Sequence, residues 1–335
     1  MNFRKIFKKK GPIIIAEVGN NHGGNLNKAI KYIHQASEAG ADGVKFQTFK
    51  TENYYNRKFT PKKRYDKLRK FEFSFEQIYK LSEYAKKKKI VFFSTPFDLE
   101  SAEFLNKIQP LFKISSGDNN NDQLIDKIKK FKKPTIISSG LINIDGIKKL
   151  TSKFKEFTNQ NKLAILHCIS EYPADRKNLN LKSITYLKNK FPKIYIGYSD
   201  HSLGIENCKI ALSLGAEIIE THFSLNKKNK SVRDHMLSAN QRELTNLVNF
   251  SNEINFILGK AGKFSSQGEK KNEKLMRRSP YLKNNLDINQ VIFKKDIIWL
   301  RPMMGDEIDI NYVIGKTSKK KQIKGDLIKL KNFKK

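Results

Sequence analysis

Short apolar or β-branched runs recur eight times in roughly the first 225 residues, each ending in small, polar or ionisable side chains before a stretch with helical spacing. The runs are Ile13–Val18, Gly43–Thr48, Ile90–Thr95, Leu111–Ser115, Thr135–Ser138, Leu163–Cys168, Ile194–Tyr198 and Glu217–Phe223. Between them, Leu26–Ala39 sets Ala29, Ile30, Ile33, Ala36 and Ser37 on one face, with Asn25 placed to cap its start and Gly40 to end it. The same spacing predicts helices over Ser74–Lys88, Leu99–Lys107, Asp122–Phe131, Ile144–Phe157, Leu181–Lys190, Gly204–Leu214 and Gln241–Leu258. Eight strand–helix alternations predict an α/β fold, a (β/α)8 TIM barrel, whose chemistry sits at the carboxyl ends of the strands.

A barrel of this kind needs about 250 residues, which assigns 1–260 to it. The next stretch, 261–280, is polar, basic and weakly periodic and reads as a linker or an arm over a neighbouring subunit. A small β-rich domain is expected over 281–335, with strands at Val291–Phe293, Ile297–Leu300 and Leu327–Leu330. No apolar run approaches a membrane span, and Met1–Lys10 lacks the apolar core of a signal peptide, so a soluble, cytoplasmic protein is expected. Cys168 and Cys208 each lie in an apolar segment and read as reduced core thiols.

The net charge of +33 raises the question of nucleic acid. Its lysines are scattered over nearly every helix and loop, not gathered on one stripe with interleaved aromatics, so specific nucleic-acid binding is not expected. The positive field instead favours encounter with anionic substrates and makes it sensitive to salt.

Candidate chemistry gathers at the strand ends. Lys45 and Gln47 share an orientation, as do Ser199 and His201, and Glu220 and His222, because side chains two apart in a strand point the same way. His201 and His222 end consecutive strands and can reach a common point. There they form either a ligand pair for a divalent ion such as Mn²⁺, Co²⁺ or Fe²⁺, or a hydrogen-bonded barrel pair. Asp200, Asp234 and His235 are near them in sequence. Lys45, Lys113, Ser116, Ser138, Ser139 and Ser199, with the backbone of the Ser115–Gly117 turn, form an anion-binding set suited to a phosphorylated substrate. A buried ammonium needs a partner, so Lys45 and Lys113 call for an anionic ligand or for Glu17, which is equally an ion-pair partner or a catalytic carboxylate.

These residues fall in a familiar order. Ala16-Glu17-Val18-Gly19 with Asn21-His22, Val44-Lys45-Phe46-Gln47, Ser94-Thr95-Pro96-Phe97-Asp98 and Lys113-Ile114-Ser115-Ser116-Gly117-Asp118 are followed by His167-Cys168, Tyr172-Pro173, Gly197-Tyr198-Ser199-Asp200-His201 and His222-Phe223. Over nearly its whole length the chain resembles the sialic acid synthase family, the N-acetylneuraminate synthases and their legionaminate and pseudaminate relatives. The resemblance implies condensation of phosphoenolpyruvate with an N-acylated hexosamine, N-acetylmannosamine or a 2,4-diacetamido-trideoxyhexose, to give a nine-carbon 2-keto acid and phosphate. It implies His201 and His222 as ligands of a divalent metal (Mn²⁺ foremost, with Mg²⁺ or Co²⁺ as alternatives). Lys45 and Thr95 match carboxylate contacts, and Lys113, Ser116, Ser138 and Ser199 match phosphate contacts. Gln47, Asp118, Tyr172 and Asp234 match sugar-side positions, and Glu17 matches the acidic residue that positions water or the reacting groups. The C-terminal domain resembles the antifreeze-like (SAF) domain of these synthases. There Arg301 matches an arginine reaching into the partner subunit's site, which implies a domain-swapped homodimer.

Ser170 stands where many relatives have asparagine, Asp118 where some have glutamate, and Pro302-Met303-Met304-Gly305 where Pro-Gly-x-Gly is common. Three rivals remain at this stage: another phosphoenolpyruvate-dependent 3-deoxy-ulosonate synthase, a Schiff-base aldolase using Lys45 or Lys113, and a non-catalytic sugar- or polyanion-binding protein.

Overall fold

The computed structural model describes residues 1–305 and 307–334. Two compact units divide the chain, Met1–Gly259 and Lys260–Lys335. The first unit holds eight parallel strands: β1 (Ile13–Glu17), β2 (Gly43–Thr48), β3 (Val91–Pro96), β4 (Phe112–Ile114), β5 (Thr135–Ser138), β6 (Leu163–Cys168), β7 (Tyr195–Asp200) and β8 (Ile218–His222). They follow one another in the order β3-β2-β1-β8-β7-β6-β5-β4. β3 and β4 lie side by side and complete the ring by packing, where the Gln109 side chain accepts the Ser94 N–H at 2.8 Å. The expected barrel is present, with every predicted strand within two residues of its place.

Alternation along the strands sorts the core into two layers. Ile13, Ile15, Phe93, Leu111, Ile136, Ala164, Leu166 and Ile218 fill the barrel interior. Intervening residues such as Ile14, Ala16, Val44, Phe46, Ile137 and Ile219 pack outward against the helices. A short helix that the pattern did not predict, α1 (Phe3–Phe7), buries Phe3 and Phe7 against the interior cluster.

The outer helices are α2 (Leu26–Glu38), α3 (Thr51–Tyr54), α4 (Lys62–Phe71), α5 (Phe75–Lys87), α6 (Leu99–Ile108), α7 (Asp122–Lys130), α8 (Ile144–Lys153), α9 (Lys155–Asn159), α10 (Ser183–Lys190), α11 (Glu206–Ser213) and α12 (Gln241–Leu258). Asn25 caps α2 through the Lys28 N–H, as expected. The helix predicted over Ile144–Phe157 breaks at Phe154, which lets the Phe154 and Phe157 rings both bury, edge to face at 5.1 Å. α3 and α4 had no apolar stripe to reveal them, since α4 buries only Tyr65.

The second unit corrects two expectations. The stretch read as a linker contains a helix, α13 (Gln267–Met276), started by a capping box of Ser266 and Glu269. Its small sheets pair β9 (Ser279–Leu282) with β10 (Ile297–Leu300) and β11 (Thr317–Ser318) with β12 (Phe333–Lys334). The runs at Val291–Phe293 and Leu327–Leu330 make only isolated bridges. They spend their apolar side chains, Ile292 and Ile328, on this unit's own core with Leu282, Leu286, Val313 and Phe333. Among the described residues no helix is long and apolar enough to cross a membrane.

Candidate active site

Above the apolar interior, the next inward positions of the strands are ionisable. Glu17, Lys45, Lys113, Ser138, Ser199 and Glu220 continue the alternation that places Ile15, Leu111, Ile136 and Ile218 one step below, and they line a cavity of about 440 Å³. Gln47, Thr95, Ser116, Tyr172, His201, His222 and Asp234 line the same cavity. Barrel closure thus brings together residues from strands far apart in sequence.

The centre is a four-charge cluster. Lys45 Nζ lies 2.6 Å from Glu17 Oε2, 3.5 Å from Glu220 Oε1 and 3.3 Å from Thr95 Oγ1. Lys113 Nζ donates to Glu220 Oε1 at 3.0 Å, and Ser199 Oγ donates to the same oxygen at 3.1 Å. Burial alone would raise the Glu220 carboxyl, but Lys113 and Lys45 outweigh it and hold Glu220 low. Glu17 goes the other way: burial, opposed by Lys45 and assisted by Glu220, pushes it up to about 7. Burial also lowers Lys113, whereas Glu17 and Glu220 hold Lys45 above its ordinary value in spite of burial. Glu220 was missed as the partner of Lys113 in the sequence reading, although its spacing from His222 already gave it the right orientation.

Gly19 keeps the space beside Glu17 open. Its φ is +52°, and a Cβ there would stand 3.3 Å from Glu17 Oε1 and 3.8 Å from Asp234 Oδ2.

His201 and His222 do converge, with ring centroids 5.4 Å apart. His201 Nδ1 lies 2.7 Å from the Ile169 carbonyl, which fixes its tautomer and leaves Nε2 as the lone-pair nitrogen. Tyr172 packs on the same ring at 4.0 Å. Burial, then His201 and Lys45, drive His222 well below its ordinary value, so it is the neutral imidazole that a metal requires. His222 Nδ1 is buried without a hydrogen-bond partner among the described residues, 3.8 Å from Asp234 Oδ2. These donors fit a divalent ion. Among the described residues no group of three or more His, Cys, Asp or Glu is arranged to hold one.

Several sequence candidates go elsewhere. Asp200 is committed to the Tyr198 hydroxyl, the Ser202 N–H and Cys208 Sγ, and His235 Nδ1 pairs with Ser224 Oγ at 2.7 Å. Ser139 Oγ turns to the Leu166 carbonyl at 3.0 Å. Asp118 is buried and held by the Ser115 hydroxyl rather than lining the cavity. Arg301 is exposed in the second unit. Both thiols are free and buried, as expected, but Cys168 is also part of the cavity wall, 3.7 Å from His201 Nδ1. Tyr54, Tyr55 and Arg64, from the excursion after β2, and Arg233 also line the cavity. Arg64 donates to the Tyr55 hydroxyl at 3.2 Å.

Residues 32–263 match the sequence model of the NeuB family. N,N'-diacetyllegionaminic acid synthase of Campylobacter jejuni is 36% identical over 96% of this chain and 99% of its own length. Human N-acetylneuraminate-9-phosphate synthase is 37% identical over 73% of this chain and 71% of its own. A crystal structure of N-acetylneuraminic acid synthetase from Leptospira borgpetersenii serovar Hardjo-bovis, in complex with citrate, superposes with a TM-score of 0.71 at 35% identity, covering 78% of this chain and 90% of that one. With the family's sequence pattern spanning most of the barrel, and relatives aligned from end to end, the chain belongs to the NeuB family.

Proposed function

We propose that this protein condenses phosphoenolpyruvate with the open-chain aldehyde of an N-acylated amino sugar, giving a nine-carbon 2-keto acid and inorganic phosphate. The observation that carries this reading is the convergence of Lys45, Lys113, Glu17, Glu220 and the two histidines in one cavity. The names of the relatives supply the class of product.

In this reading Lys45 and Thr95 hold the carboxylate of phosphoenolpyruvate, and Lys113 with Ser116, Ser138 and Ser199 holds its phosphate. Ser138 Oγ, buried with no partner among the described residues, is free to donate to that phosphate. Gln47, Tyr172 and Asp234 attend the sugar. The bond formed joins C3 of phosphoenolpyruvate to the aldehyde carbon, whose oxygen takes a proton to become a hydroxyl. Water then adds at C2 and gives up one proton, and as the C2–O bond to phosphate breaks with both electrons leaving on phosphate, the remaining C2 hydroxyl becomes the keto group and its proton passes to the departing phosphate. Lys113 and the serines stabilise that departing charge through donors already in place. Glu17, poised near neutrality, orients the water and receives its proton. A divalent ion on His201 and His222, Mn²⁺ foremost, would supply Lewis-acid polarisation of the aldehyde.

The unit Lys260–Lys335 takes the part of an antifreeze-like domain in this proposal, with Arg301 serving the partner subunit's site in a homodimer. The test is phosphate release from phosphoenolpyruvate with Mn²⁺, offering N-acetylmannosamine, its 6-phosphate and a 2,4-diacetamido-trideoxyhexose in parallel, with mass spectrometry of the products. Release that needs one sugar and is lost in His222→Ala is expected. Silence with all three from folded, metal-loaded protein would overturn the reading.

A further inference from the structure

Beside the candidate active site lies a second cavity of about 510 Å³, bounded by α8, α10 and the carboxyl ends of β5 and β6. Leu141, Cys168 and Ser170 belong to the walls of both cavities, so the two adjoin along these three side chains. Ile142, Ile147 and Leu187 make the second cavity's depth apolar.

Most polar groups of its wall are already satisfied. Ser139 Oγ donates to the Leu166 carbonyl, His167 Nε2 sits 2.7 Å from the Leu179 carbonyl, and Asn143 Oδ1 accepts the first N–H groups of α8. Ser170 differs. Its Oγ is buried and has no hydrogen-bond partner among the described residues. It stands in the wall the two cavities share, opposite Gly140, at which a Cβ would come within 2.2 Å of that oxygen. An unsatisfied hydroxyl at the junction of a polar cavity and an apolar one is complementary to a ligand with one acceptor there and hydrocarbon beyond it. An amide-linked acyl chain has that form, with the carbonyl oxygen accepting from Ser170 and the alkyl carbons continuing toward Ile142, Ile147 and Leu187.

We infer that this cavity is a subsite for an N-acyl chain longer than acetyl, carried on the nitrogen of the acceptor sugar, with Ser170 reading the amide at its neck. The inference rests on the synthase reading and names the substituent that the acceptor bears.

The test is an acceptor series of mannosamine N-acylated with acetyl, propanoyl, butanoyl and pentanoyl groups, assayed by phosphate release with Mn²⁺. Binding is followed in parallel through the methyl resonances of Ile142 and Ile147 in the full chain. In the wild type, kcat/KM is expected to rise about two- to fourfold per added methylene, the effect of burying a CH₂. Ser183→Phe places a ring in the second cavity only. It should abolish the gain with chain length and leave the acetyl sugar unchanged. Ser170→Asn, which fills the neck, should reverse the order of the series. Turnover of the acetyl sugar that falls with every added carbon, or a series unaffected by both substitutions, overturns the subsite and leaves the synthase reading standing. Chain-dependent methyl shifts that vanish in Ser183→Phe, without phosphate release from this series or from the three acceptors offered above, keep the subsite and overturn the synthase reading. The absence of shifts overturns the subsite, and the absence of turnover with the three acceptors as well overturns both.

Discussion

Lys45 and Lys113 both face one oxygen, Oε1 of Glu220, at 3.5 and 3.0 Å. That oxygen is the hinge of the site's charge balance, since Glu17 is left to answer the rest of Lys45. Removing one member of a buried pair costs about 3–5 kcal/mol, because the other charge stays buried without compensation. Glu220→Gln is therefore expected to lower stability on that scale in phosphate-free buffer, with part of the loss recovered as inorganic phosphate is added. Urea denaturation with and without phosphate measures both effects. Equal midpoints for wild type and variant would show that Glu220 does not compensate Lys113.

Burial holds Glu17 at about 7, despite Lys45. If its ionised form orients the water, kcat/KM should climb with pH below about 7 and level off above it. In Glu17→Gln that limb should disappear and the rate should fall by about 10²–10⁴. An unchanged limb in the variant would assign the ionisation to another group.

The His22 ring stacks on Phe73 at 4.3 Å and accepts the Gly24 N–H on Nδ1. Burial lowers its pKa to about 3 from the ordinary 6.5. Between those values the unfolded chain binds the proton and the folded chain does not, so stability is fully present above about 6.5 and is lost as pH falls through the window. The slope is about 1.4 kcal/mol per pH unit from this residue. Guanidinium unfolding at pH 7 and pH 5 should show a larger loss in the wild type than in His22→Gln, and equal losses would contradict the buried neutral ring.

Each of His201→Ala and His222→Ala should weaken Mn²⁺ binding by well over tenfold, read by calorimetry or electron paramagnetic resonance. Retained affinity in either variant would move the metal elsewhere.

If Arg301 serves the partner's site, mixing Arg301→Ala with His222→Ala subunits creates heterodimers with one intact site. Equal mixing with free exchange should restore about a quarter of wild-type activity. No recovery after verified exchange would place Arg301 in its own subunit's chemistry, and full activity of Arg301→Ala alone would place it outside the site.

The barrel was legible because its strands are dense in β-branched residues and end at residues such as Asp98, Ser116 and Gly140 that stop a ladder. The two-residue period also gave Lys45 with Gln47, Ser199 with His201 and Glu220 with His222 a shared orientation, and all six line the cavity, since orientation along one strand is a local property. What stayed hidden depends on closure. Lys113 and Glu220 are 107 residues apart, and nothing local marks them as partners. Asp118 and Ser139 kept the right strand ends but were claimed by nearer hydrogen-bond partners, Ser115 and the Leu166 carbonyl. α4 escaped because a helix that buries only one residue carries almost no periodicity.

β1 pairs along its whole length with β8, from Ile13 against Ile218 to Glu17 against His222. A nascent chain must therefore hold its first strand unsealed until some two hundred further residues have emerged. Glu220 and His222 arrive on that last strand, so the partially synthesised protein has neither the counter-charge for Lys113 nor a second imidazole beside His201. A ribosome stalled before Ile218 would carry an unfinished ring in which β1 has no partner on its β8 side.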